Sequence, residues 1–160
     1  MRLVHRLVLP VFLVLAFVSL AGAQTATFQA TLDGKQQSPP IDTTASGTAT
    51  FTLSADGMSL SYRLSVADTE NITMAHIHIA AAGQNGPVAT WLYPSQPHAE
   101  TKPGKFTGVL ATGTITAADL AGPLQGKTIA DLVADIKAGN AYVNVHTTAH
   151  PGGEIRGQIQ

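Results

Sequence analysis

Thr48-Ala49-Thr50-Phe51-Thr52-Leu53-Ser54-Ala55-Asp56-Gly57-Met58-Ser59-Leu60-Ser61-Tyr62-Arg63-Leu64-Ser65-Val66 decides the architecture. Before the turn, Ala49, Phe51 and Leu53 alternate with Thr48, Thr50 and Thr52. After it, Met58, Leu60, Tyr62, Leu64 and Val66 alternate with Ser59, Ser61, Arg63 and Ser65. A period of two is that of a β-strand, and two such runs joined through Asp56-Gly57 predict an antiparallel hairpin. Each strand offers one apolar and one hydroxyl-rich face, the pattern of a sheet that covers a core on one side.

Outward from this hairpin the same period recurs. Phe28, Ala30 and Leu32 alternate with Thr27, Gln29 and Thr31. Further strands are expected over residues 72–79, 87–93, 106–115, 141–147 and 153–159, making eight in all. The stretch 94–104 holds three prolines and few apolar residues, so it reads as an exposed loop. One segment departs from the pattern. Thr128 and Asp131 have the spacing of a capping box, Ile129, Leu132, Val133 and Ile136 fall at helical spacing, and Gly139 can end the helix. A helix over 129–138 is expected, with a single helical turn over 116–120. The expectation is a mainly β, antiparallel β-sandwich with one short helix, of the immunoglobulin-like or superoxide-dismutase-like Greek-key kind.

The N-terminus reads as an export signal. Arg2 and Arg6 precede an apolar run over 7–20, which ends in Ala21-Gly22-Ala23. Charge, apolar core and small-x-small site in that order predict a signal peptide over 1–23 and a mature domain over 24–160 that begins at Gln24. The apolar run falls short of the roughly 20 residues of a membrane span and contains Pro10, so no span is expected after cleavage. Without Arg2 and Arg6, seven basic residues stand against ten acidic ones. That balance gives no reason to bind nucleic acid or an anionic membrane. The chain has no cysteine, which excludes thiol catalysis, zinc-thiolate sites and iron–sulfur clusters, and leaves stability to the core and the hydrogen bonds.

The histidines carry the chemistry. His76 and His78 are two apart on a predicted strand and share one face, with Ile77 and Ile79 on the other. Tyr142, Asn144 and His146 share a face opposite Val143 and Val145. If both strands turn their apolar faces to one core, His76, His78 and His146 converge on the other side. Three neutral imidazoles with an open fourth position suit copper or zinc. Tyr142, Asn144, His150, Glu154 and Arg156 are accessory candidates, as further ligands or orienting groups. The alternative is that the histidines and Asn144 brace loop backbone, and that Glu154 and Arg156 form a salt bridge or Arg156 hydrogen-bonds a loop. Metal affinity is expected to fall as pH drops through the ordinary histidine pKa of about 6.5. No residue is assigned a catalytic role: no serine lies in a G-x-S-x-G elbow, and no paired carboxylates stand out.

Three segments carry a family resemblance: the run from Ala75 to Val88 that holds His76-Ile77-His78, Gly113-Thr114-Ile115-Thr116-Ala117-Ala118-Asp119-Leu120, and the run from Gly139 to Ile159. In these the chain resembles the CHRD domain, named for chordin and found alone in many exported bacterial proteins. The resemblance extends over residues 25–159. It implies an extracellular β-sandwich with no agreed catalytic activity, and nothing here is similar to the cysteine-rich modules of chordin. The resulting expectation is a secreted or periplasmic, non-enzymatic binding or structural module whose partner is an extracellular protein or surface ligand. The alternative is a copper- or zinc-binding protein, either a metal carrier or a superoxide-dismutase-like redox protein.

Overall fold

The computed structural model describes residues 25–95 and 101–160. The predicted signal peptide, and residues 96–100 of the predicted proline-rich loop, lie outside the described residues. Seven strands and one helix follow in the order β1 (Thr27–Asp33), β2 (Ser46–Leu53), β3 (Ser59–Ile79), β4 (Val88–Tyr93), β5 (Lys102–Thr116), α1 (Ile129–Lys137), β6 (Ala141–Thr147) and β7 (Ile155–Gln158). All pairings are antiparallel. The hairpin forms as its alternation predicts, with Ala49 opposite Leu64 and Phe51 opposite Tyr62.

The expected pair of stacked sheets is instead one continuous sheet that closes on itself. β1 pairs with β2, β2 with the first half of β3, the second half of β3 with β6, β6 with β7, and β7 again with β1. Five strands thus form a ring, while β4 and β5 lie along the free side of β3. The cause is β3, for which two separate strands were expected. Its 21 residues would reach about 70 Å if straight, so it must bend to serve both halves. The bend is legible in its inward positions: Leu60, Tyr62, Leu64 and Val66 are two apart, then Thr69, Ile72 and Ala75 follow at steps of three, and Ile77 resumes the step of two. Each step of three inserts an extra residue, as a β-bulge does, and increases the local twist. Asp68 and Asn71 take left-handed backbone conformations in this stretch, and the pairing with β5 and β6 slips at the same places.

The ring closes thinly. Asp33 and Arg156 are the paired residues between β1 and β7, and four residues further along the seam Gln29 and Gln160 exchange two backbone hydrogen bonds of 2.8 Å. Inside, Phe28, Leu32, Phe51, Leu60, Leu64, Ile72, Ile77, Val143, Val145 and Ile155 form the core.

The capping box forms as the sequence predicts. Thr128 N–H donates to Asp131 Oδ2 at 2.8 Å, and Thr128 Oγ1 accepts from Asp131 N–H. The helix buries Ile129, Leu132, Val133 and Ile136, and the expected turn at residues 116–120 is a 3-10 turn over Ala117–Asp119. Leu132 is fully buried and Lys137 is exposed. Leu132→Ala is therefore expected to lower stability by about 2–5 kcal/mol, and Lys137→Ala to leave it unchanged. Denaturant midpoints for the two variants check this; equal midpoints would mean that the helix does not pack on the barrel.

Candidate metal centre

The outer face of the second half of the barrel is not open to water. Every residue of β6 is buried, so the side of the sheet away from the core is covered as well. Register sets its content. His76 lies opposite Trp91 on β4 and Asn144 on β6, Asn144 opposite Arg156 on β7, and His78 opposite Tyr142. Directly paired residues share a face, so these rows assemble a polar layer above the sheet. The cover is made of loops: 80–87 and 148–154 pack over it, joined by the segment after β1.

Each loop is fastened by a residue of the layer. Arg156 Nη1 donates to Asn85 Oδ1 at 3.1 Å, and Nη2 donates to the carbonyls of Gln84 and Ala81 at 2.6 and 3.4 Å. Arg156 is therefore a loop brace, while Glu154 accepts from Thr43 Oγ1 at 2.7 Å. Asn144 accepts from Gln37 Nε2 at 2.7 Å and donates to the carbonyl of Gly152 at 3.2 Å. Its amide passes so close to Gly153, whose φ is +119°, that no Cβ fits there; only glycine serves at this position. Tyr142 Oη accepts from Gly86 N–H at 3.1 Å. Its ring stacks on His78 with centroids 5.0 Å apart, and the Arg156 guanidinium lies 3.5 Å from the ring centre.

Within this layer His76, His78 and His146 come together. One ring nitrogen of each lies within 4.8 Å of the others, and all three residues are buried. His78 Nδ1 is 2.9 Å from the Gly86 carbonyl, and His146 Nδ1 is 2.9 Å from the Pro151 carbonyl. A carbonyl only accepts, so Nδ1 carries the proton in both rings and each Nε2 keeps its lone pair. His76 Nδ1 stands 3.2 Å from His146 Nε2. The Nε2 atoms of His76 and His78 are buried without a hydrogen-bond partner. The Trp91 ring packs edge-on with His76 at 4.2 Å, closing that side with apolar surface.

Electrostatics keep the cluster neutral. Burial, then the neighbouring His146 and His78, push the His76 pKa down to about 3. Burial also lowers the pKa values of His78 and His146, against the opposing pull of their bonds to Gly86 and Pro151, and the Arg156 charge pushes His78 further down. The pH window expected from the sequence is corrected accordingly. Proton competition for these nitrogens begins below pH 6.5, because the folded protein already disfavours the imidazolium.

The accessory candidates separate. Tyr142, Asn144 and Arg156 lie in the layer as braces. Among the described residues no carboxylate joins the three-nitrogen group, so Glu154 is not part of it. His150 belongs to the covering loop 148–154 and lines a cleft of about 240 Å³ with Gln37, Pro39 and Pro151, apart from the three-nitrogen group. Sequence reasoning missed Gln37, which sits in an aperiodic segment. Trp91 joins the histidine face through its register opposite His76.

The arrangement defines a class: a small antiparallel barrel with one helix, whose outer sheet face carries a loop-covered imidazole cluster. The model of the CHRD domain matches residues 28–159. The chain belongs to the CHRD domain family. No curated protein and no solved structure matches the chain. Among the described residues no helix is long and apolar enough to cross a membrane.

Proposed function

We propose that this CHRD domain is an exported module that binds one copper or zinc ion through His76, His78 and His146. The observation that carries the reading is the 3.2 Å separation of His76 Nδ1 and His146 Nε2 beside two buried ring nitrogens with no partner. Two nitrogens bound tetrahedrally to one ion at about 2.0–2.1 Å stand roughly 3.3 Å apart. A buried polar atom without a partner costs about 1–3 kcal/mol, and an ion held between His76 Nδ1 and His146 Nε2 supplies that partner to His78 Nε2. The carbonyls of Gly86 and Pro151 act as orienting groups, fixing the tautomer in which Nε2 of His78 and His146 can ligate. Export rests on Arg2, Arg6, the apolar run over 7–20 and Ala21-Gly22-Ala23. The reading assigns binding and no catalytic step.

Metal analysis of protein purified without a histidine tag tests it. One equivalent of copper or zinc is expected at neutral pH, and none for His146→Ala with unchanged far-ultraviolet circular dichroism. Wild-type protein that takes up neither metal would leave the histidines as loop braces.

A further inference from the structure

A methionine that the histidine pattern does not reveal pairs with this cluster in the strand register. Met74 lies directly opposite His146 in the β3–β6 register. It precedes His76 by two residues, beyond the last irregularity in that pairing, so it shares the face of His76 and His78. Paired residues hold their Cβ atoms about 4.5–5.5 Å apart, within reach for a long, unbranched thioether. Met74 is half-buried, at the edge of the covered layer.

The charges around the cluster point the same way. Its three imidazoles are neutral, and among the described residues no carboxylate joins them. Arg156 is 1% exposed and bonds to an amide and two carbonyls, on the far side of Tyr142 from His78 in strand order. A divalent ion placed here would keep its full charge in a buried site and be repelled by the guanidinium. Desolvation cost rises with the square of the charge and repulsion in proportion to it. A monovalent ion suffers least from both. Thioether sulfur is a soft ligand that favours monovalent copper over zinc or divalent copper.

We propose that the three-histidine centre selects monovalent copper, with the Met74 sulfur as its fourth ligand. The inference rests on the metal-centre reading above and goes beyond it in naming the ion and the ligand. The test is an anaerobic titration of untagged protein with Cu(I) buffered by bicinchoninate, and of the same protein with Zn(II) against a chromophoric indicator. Wild-type protein binds Cu(I) more tightly than Zn(II). Met74→Leu, an apolar exchange of similar volume, weakens Cu(I) roughly tenfold or more and leaves zinc affinity and the unfolding midpoint unchanged. A selective tenfold loss lowers the potential of the copper couple by about 59 mV. X-ray absorption of the Cu(I) form shows a sulfur neighbour that Met74→Leu removes. Equal losses for both metals, no loss for either, or zinc held as tightly as Cu(I) in the wild type overturns the inference while the three-histidine centre stands. Wild-type protein that binds neither ion overturns the centre itself.

Discussion

Acidification from pH 6.5 to 3.5 is expected to destabilise the metal-free protein by about 4 kcal/mol through His76 alone. The sign follows from where the protons go. Above pH 6.5 His76 is neutral in both the folded and unfolded chain and contributes nothing. Below it the unfolded chain takes up a proton that the folded one refuses until about pH 3. Stability therefore falls by about 1.4 kcal/mol per pH unit across that window, and levels off below it. His78 and His146 are shifted in the same direction and steepen the fall. Denaturant midpoints between pH 7 and pH 4, measured with a chelator present, give the slope. His76→Gln should make it shallower by about 1.4 kcal/mol per pH unit. Equal slopes for the variant and the wild type would show that His76 titrates normally in the fold.

The second large effect is expected at the seam of the barrel. A Cβ built on Gly157 would overlap the Thr31 carbonyl oxygen and stand 3.2 Å from Leu32 Cα. Both neighbours are backbone and cannot swing away as a side chain would. β7 has only four residues, and its pairing with β1 is Asp33 with Arg156. Gly157→Val should thus force β1 and β7 apart, at or above the top of the usual range of about 1–3 kcal/mol for overpacking. The same exchange at Gly57, where nothing lies within 4 Å but φ is +71°, separates crowding from backbone preference. Its variant should stay folded with a smaller loss. Unfolding curves decide this, and a Gly157→Val protein as stable as the wild type would mean that the seam is not closed in solution.

How much of this was legible depended on whether the chain kept one period. β1, β2 and the first half of β3 alternate strictly, and the helix carries its own cap, so each emerges from the sequence at nearly its observed limits. The middle of β3 does not alternate. Its inward residues Val66, Thr69, Ile72 and Ala75 match neither the strand nor the helix template, so the strand read as two and the closed ring as two sheets. Ring closure itself depends on β1 meeting β7, a pairing between the two ends of the domain that no local pattern encodes. For the site, alternation placed His76, His78 and His146 on outward faces, and that required only local information. It could not foresee that loops bury this face, because the contacts of Arg156 with loop 80–87 and of Gln37 with Asn144 join residues 70 or more positions apart. Burial is what depresses the histidine pKa values, so the pH window was misplaced for the same reason.

The three inserted residues of β3 act together as a reading frame. Between Val66 and Ala75 the strand changes phase an odd number of times, so even-numbered side chains point inward at its start and outward at its end. Substitutions in this stretch leave the phase alone. A deletion or insertion of one residue would invert everything downstream: Ile77 would turn toward the loops, and His76 and His78 toward the apolar core. Comparisons of this strand among related chains should therefore count residues before comparing their identities. A sequence that keeps H-x-H but lacks one residue upstream has no reason to present those imidazoles on the same side. Length, more than composition, is what this segment transmits to the site.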